Sequence, residues 1–204
     1  MNFEEGNLYH IYNQGNNRQK IFFNRENYLF FLKKIRSYIT PYADILAWCL
    51  MPNHFHLMIH VRVVAIRKQS AGQSLKERSL NDSIAILLRS YTRAVNKAQK
   101  RSGSLFRMQT KAICLNEIKR VSPVWYVNQG VAEFVSDDRG YAQTCFNYIH
   151  QNPVKANLVK SISDWEFSSA QDYLAQREGK LINRDRAAEY HLECFNEVVS
   201  RGDS

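Results

Sequence analysis

The segment Leu50-Met51-Pro52-Asn53-His54-Phe55-His56-Leu57-Met58-Ile59-His60-Val61 constrains the chain more than any other. After the Pro-Asn break it reads as a buried β-strand, with apolar, β-prone residues at Phe55, Leu57, Ile59 and Val61. Successive side chains of a strand point to opposite faces, so those four share one face. His54, His56, Met58 and His60 share the other. His54 and His56 stand two residues apart on that face, their Cα atoms ~6.5–7 Å apart along the strand. Such a pair is either two partly buried histidines satisfied by neighbours or two imidazoles converging on one divalent ion. Only the rest of the chain decides between these.

Around this strand the periodicities predict an α+β fold in which one antiparallel sheet has helices packed against a face. Leu8 to Asn13 reads as a first strand, and Gly15-Asn16-Asn17-Arg18 as a turn whose polar groups suit phosphate. A helix starts at Asn24 or Arg25, buries Tyr28, Phe31, Leu32 and Ile35, and ends at Thr40-Pro41. Ala43 to Leu50 then forms a hairpin with the histidine strand, which places the histidines on an inner strand near its hairpin end.

Residues 62–80 are polar and basic and read as a flexible loop, either facing DNA or simply solvated. A long helix capped within Leu80-Asn81-Asp82-Ser83 runs to Lys100, burying Ile84, Leu87, Leu88, Tyr91 and Val95. Arg89 and Arg93 decorate its other side. Residues 105–115 read as extended, with Arg107 and Lys111, and a helix is expected near 124–135. Tyr141 to Gln151 is a further helix with Pro153 near its end, and Arg184 to Val199 a last one. The division expected is a main unit over 1–175 and a helical extension over 176–204.

Composition narrows the partner. The formal charge is +9, the footprint of a polyanion binder, usually nucleic acid. No apolar run approaches ~18 residues and no basic-apolar leader is visible, so neither membrane insertion nor export is expected. The four cysteines are scattered without a Cys-x-x-Cys pair, which argues against a zinc ribbon or disulfide framework and suits a reducing cytoplasm.

A second constellation lies in the helix at 141–151. Tyr148 and Asn152 are four residues apart and so fall on one helical face. An Asn oxygen beside two neutral imidazoles is an acceptable donor set for Mg²⁺ or Mn²⁺, and leaves positions for phosphate oxygens and water. Asn152 precedes Pro153, a neighbour that disfavours helical dihedrals, so the i,i+4 geometry is expected to loosen here.

Met51-Pro52-Asn53-His54-Phe55-His56-Leu57 resembles the His-hydrophobic-His motif of the single-tyrosine HUH transposases, and Tyr148-Ile149-His150-Gln151-Asn152-Pro153-Val154-Lys155-Ala156-Asn157-Leu158-Val159 resembles the tyrosine-helix signature of their REP-associated branch. Weaker blocks follow in the same order: Gly15-Asn16-Asn17-Arg18, Tyr91-Thr92-Arg93 with Asn96, and Gly103-Ser104-Leu105-Phe106. Gln14 and Arg107-Met108-Gln109-Thr110 depart from the usual pattern, which bears on DNA specificity.

The resemblance implies a ferredoxin-like sheet with the histidines on a central strand. It implies a bacterial, cytoplasmic protein working at the nucleoid on single-stranded DNA with hairpin elements, and is compatible with a homodimer. It carries His54, His56 and Asn152 over as metal ligands and Tyr148 as the nucleophile that forms a 5′-phosphotyrosine. Asn17, Arg18, Arg89, Arg93, Arg107, Lys111 and Lys155 are the accompanying DNA-contact candidates. His10 could line the site from the first strand, His60 could serve as a reserve ligand, and His150 reads as structural. Three readings compete: a replication-initiator or relaxase-type nickase, a domesticated hairpin binder with idle chemistry, and a hydrolytic metalloenzyme.

Overall fold

The computed structural model describes residues 1–68, 76–117, 126–128, 131–133 and 138–194. In chain order the elements are β1 (Leu8–Gln14), α1 (Arg25–Tyr38), β2 (Ala43–Met51), β3 (His54–Val61), β4 (Ala65–Lys68), β5 (Lys76–Ser79), α2 (Leu80–Ala98), β6 (Lys111–Cys114), β7 (Tyr126–Asn128), β8 (Val131–Glu133), α3 (Asp138–Lys155), α4 (Ala170–Tyr173) and α5 (Arg184–Glu189).

Four strands form the main sheet in the order β2-β3-β1-β6, with antiparallel neighbours throughout. The histidine strand is therefore interior, as its sequence implies. On one face, Phe55, Leu57, Ile59 and Val61 join Tyr9, Ile11 and Ile45 against Tyr28, Phe31 and Ile35 of α1 and Ile84, Leu87, Tyr91 and Val95 of α2. On the opposite face, Leu8, Ala47, Cys49, Met51 and Met58 pack against Tyr141, Ala142, Cys145, Phe146 and Ile149 of α3.

Helices thus cover both faces, which corrects the expectation of one. The cause lies in β2, which is apolar on both sides: Ile45, Trp48 and Leu50 belong to one cluster, Ala47, Cys49 and Met51 to the other. A β-bulge between Ile45 and Ala47 turns Leu46 and Ala47 together toward α3. The outer edge of β2 is closed by backbone bonds from Leu50 N to Phe167 O (2.8 Å), Ser169 N to Trp48 O (2.9 Å) and Asn183 N to Ile45 O (2.8 Å).

Helix starts follow local chemistry. The Asn24 side chain accepts from Asn27 N at 3.0 Å at the head of α1. At α2 a capping box is complete: Ser79 Oγ accepts from Asp82 N (3.1 Å), and Asp82 Oδ2 accepts from Ser79 N (3.2 Å). The cap is thus one residue earlier than the window expected. Ser79→Ala should lower stability by about 1 kcal/mol, read as a fall in the urea midpoint with an unchanged slope; no shift would mean the cap contributes nothing.

Three further expectations are corrected. Residues 65–68 and 76–79, read as loop, form a β4–β5 hairpin; the intervening 69–75 lie outside the described residues. Arg67 stands opposite Glu77, and a cross-strand pair of opposite charge supports strands that carry no apolar alternation. Part of the helix expected near 124–135 is instead a β7–β8 hairpin, consistent with β-branched Val127 and Val131; the remainder of that stretch lies outside the described residues. The last helix stops at Glu189, not Val199. His191, in the left-handed region (φ 54°), donates to Ala188 O (2.9 Å) and Leu192 to Ala187 O (3.2 Å), a Schellman termination. Residues 195–204 lie outside the described residues. No helix among the described residues is long and apolar enough to cross a membrane.

Candidate active site

The site grows from the turn that precedes β3. Gly15 N donates to Asn53 O at 2.7 Å, and a Cβ at Gly15 would sit 2.1 Å from the Gln19 carbonyl oxygen, so only glycine allows this approach. Asn53 Nδ2 donates to Arg18 O (3.3 Å), which turns Oδ1 toward His54; that oxygen accepts from His54 Nδ1–H at 2.6 Å. The proton being on Nδ1, a neutral His54 carries a bare lone pair on Nε2.

That lone pair faces α3. His54 Nε2 lies 3.2 Å from Asn152 Oδ1, while Asn152 Nδ2 donates to the Tyr148 carbonyl at 3.3 Å and so keeps the oxygen forward. Burial lowers the His54 pKa, with Asn152 opposing the shift. In the neutral ring two acceptors therefore face each other, an arrangement that a shared cation relieves. Pro153 sits inside α3, which continues to Lys155. The loosening expected before the proline does not occur, and the i,i+4 stacking of Tyr148 and Asn152 is intact.

His56, only 4 % exposed, is oriented from β1. Its Nδ1 lies 2.9 Å from His10 Nε2, and its Nε2 is buried with no hydrogen-bond partner among the described residues. Burial, then His10 and His54 nearby, hold the His56 pKa well below the usual value, and burial pushes His10 down to about 3. Both rings are neutral, so one donates to the other. With His56 Nδ1–H donating, its Nε2 presents a second bare lone pair. The His54 and His56 rings stand 5.0 Å apart at 83°, and the Tyr148 ring lies edge-on to His56 at 5.2 Å. His10, expected as a residue that could line the site, bonds His56 and orients its ring but is not among the residues that line the cleft.

Among the described residues no group of three His, Cys, Asp or Glu side chains is placed to hold a metal ion. The donor set at this point is two imidazoles and an amide oxygen, which suits a hard divalent cation with open positions better than a closed structural site. A cleft of about 390 Å³ opens here, lined by His54, His56, Tyr148 and Asn152 together with Tyr12, Arg107 and Lys111. Burial raises the Tyr148 pKa while a hydrogen bond from Asn152 pulls it down. At rest the tyrosine is a phenol.

A solved structure of a REP-associated tyrosine transposase bound to a REP hairpin is similar to this chain at 18% identity, with a TM-score of 0.50 over 86% of this chain and 84% of that one. The two share a fold. A scan against protein-family models and a search of the curated proteins give no match.

The remaining candidates divide. Arg107 and Lys111 line the cleft, and Lys155 Nζ stands 6.0 Å from the Tyr148 ring centre. Asn17 and Arg18 are exposed in the turn after β1, both at positive φ, where the Arg18 carbonyl holds Asn53. Arg89 and Arg93 line a different groove, along α2. His60 shares the histidine face but lies away from the cleft, 3.9 Å from Asp44 and against the Tyr190 ring. His150 is buried with its Nε2 2.7 Å from Ser169 Oγ, a structural tie between α3 and the edge of β2. The sequence reading missed Asn53. Its signal is position alone, a side-chain amide adjoining a strand that opens with histidine.

Proposed function

We propose that the chain is a single-tyrosine HUH transposase of the REP-associated type, cutting and rejoining single-stranded DNA that carries hairpin elements. One observation carries this reading: Tyr148 and Asn152, one turn apart on α3, stand against the two histidines, with Asn152 Oδ1 3.2 Å from His54 Nε2, the Tyr148 ring edge-on to His56, and His56 Nε2 buried without a hydrogen-bond partner among the described residues. The shared fold with a transposase solved on a REP hairpin supports it.

His54, His56 and Asn152 would hold Mg²⁺ or Mn²⁺. Such an ion, when bound, withdraws charge from a scissile phosphate and favours ionisation of a nearby phenol. Tyr148 Oη attacks the phosphorus; the Oη–P bond forms, the P–O3′ bond breaks, the phenolic proton is lost and the departing 3′ oxygen gains one. The product is a 5′-phosphotyrosine and a free 3′-OH. Because the ester retains the energy of the broken bond, another 3′-OH can reverse the step and join strands. Arg107 and Lys111 supply cations to the phosphates flanking the cut, and Lys155 favours the phenolate at the ring of Tyr148.

Hairpin-bearing single-stranded DNA incubated with Mg²⁺ or Mn²⁺ and run on a denaturing gel tests this. A slow-migrating protein–DNA adduct is expected, lost in EDTA and restored by excess metal. Nicked DNA without an adduct would replace this reading with hydrolysis. Tight hairpin binding with neither product would leave a binding module.

A further inference from the structure

The cleft at Tyr148 is not the largest hollow on the described surface. A groove of about 850 Å³ runs along the exposed side of α2, and Asn13, Arg107 and Gln109 line both it and the cleft. The two hollows therefore adjoin across that shared saddle. The groove's lining contains Arg89, Arg93 and Arg107 and no carboxylate. Its apolar lining, Ile84, Leu88 and Phe106, comes from the side of α2 and the turn before β6 that also build the core. Asn81 and Asn96 each add a buried amide oxygen without a hydrogen-bond partner among the described residues. Met108, on the saddle, is 96 % exposed.

We infer that this groove is a track for unpaired DNA: the strand held at Tyr148 leaves the cleft over Arg107–Gln109 and lies along α2, its phosphates on Arg89 and Arg93. The inference rests on the proposed reaction and extends it from the reacting phosphate to the flanking nucleotides. Single-strand tracks combine a positive groove with side chains on which base faces rest; here the cations are Arg89, Arg93 and Arg107, and the apolar surface on offer is Leu88 and Met108, because Ile84 and Phe106 are only 4 % and 6 % exposed. A duplex offers phosphates and groove edges but keeps its base faces stacked away, so it would leave the apolar lining and Met108 unused. The free amide oxygens suit the N–H groups of Watson–Crick edges, which an unpaired strand presents whole and a paired one spends on its partner strand.

The test measures equilibrium binding in a Tyr148→Phe background, so that no adduct accumulates, on a hairpin with or without a single-stranded thymidine tail of about 16 nucleotides. Arg89→Ala/Arg93→Ala is compared with Lys33→Ala/Arg36→Ala, which removes the same charge from α1. On the tailed hairpin the first pair should make the plot of log K against log salt shallower by about 1.4, two single-strand phosphate contacts at about 0.7 each. On the tail-less hairpin it should change nothing, and the α1 pair should change neither. Arg89→Lys/Arg93→Lys should restore most of the slope. An unchanged slope on the tailed hairpin, or an equal fall with the α1 pair, would overturn the track; an equal loss on the tail-less hairpin would assign the groove to duplex instead. Adduct formation by the unsubstituted protein reads the underlying reaction separately, so the two can fail independently.

Discussion

Tyr148→Phe is expected to abolish the covalent protein–DNA adduct, lowering single-turnover strand cleavage by at least ~10³-fold, as removal of an essential nucleophile does elsewhere. The substitution deletes one oxygen. The ring stays edge-on to His56 and to His10, with centroids 5.2 and 6.1 Å away, and Asn152 still bonds the residue 148 carbonyl, so the cleft keeps its shape. Metal and DNA should still bind. Cleavage persisting near the unsubstituted rate would mean that water, not the tyrosine, attacks.

The largest effect on stability is expected at Tyr91. Its ring is fully buried among Phe22, Phe30, Phe31 and Phe106, and its hydroxyl donates to Ile21 O at 2.7 Å. Tyr91→Ala removes an aromatic from the junction of α1, α2 and the sheet and should cost about 3–5 kcal/mol. Tyr91→Phe keeps the packing, strands the Ile21 carbonyl and should cost about 1–3 kcal/mol. The effect reaches the site by a short route, because Ile21 N and Phe22 N both donate to Pro52 O (2.8 and 3.1 Å), in the turn that launches His54. Urea unfolding of both variants reads the difference. A cost below about 1 kcal/mol for the alanine would contradict the core as described.

Much of this was legible because the relevant signals are local and periodic. The alternation through His54–Val61 put the histidines opposite the main core, and the i,i+4 spacing of Tyr148 and Asn152 put them on one face of α3. What escaped depends on partners distant in sequence. β4 and β5 are rich in charge, and their pairing is visible only once Arg67 meets Glu77 across the hairpin. That helices cover both faces follows from β2 being apolar on both sides, a property that the alternation of β3 does not carry. His10 and Asn53 act by aiming a neighbouring ring, and no spacing rule announces that. The helix beginning at Arg184 ends early at the left-handed backbone of His191, a residue type that enters that conformation more often than most but does not announce it as glycine does.

The most direct measurement is to trap the adduct on a hairpin substrate, digest both protein and DNA, and locate the nucleotide-bearing residue by mass spectrometry. The nucleotide mass should fall on the peptide containing Tyr148, attached through its 5′-phosphate, and on no peptide from the histidine-substituted protein His56→Ala. Attachment to Tyr12, the other tyrosine lining the cleft, would contradict the account, as would cleavage that yields no modified peptide.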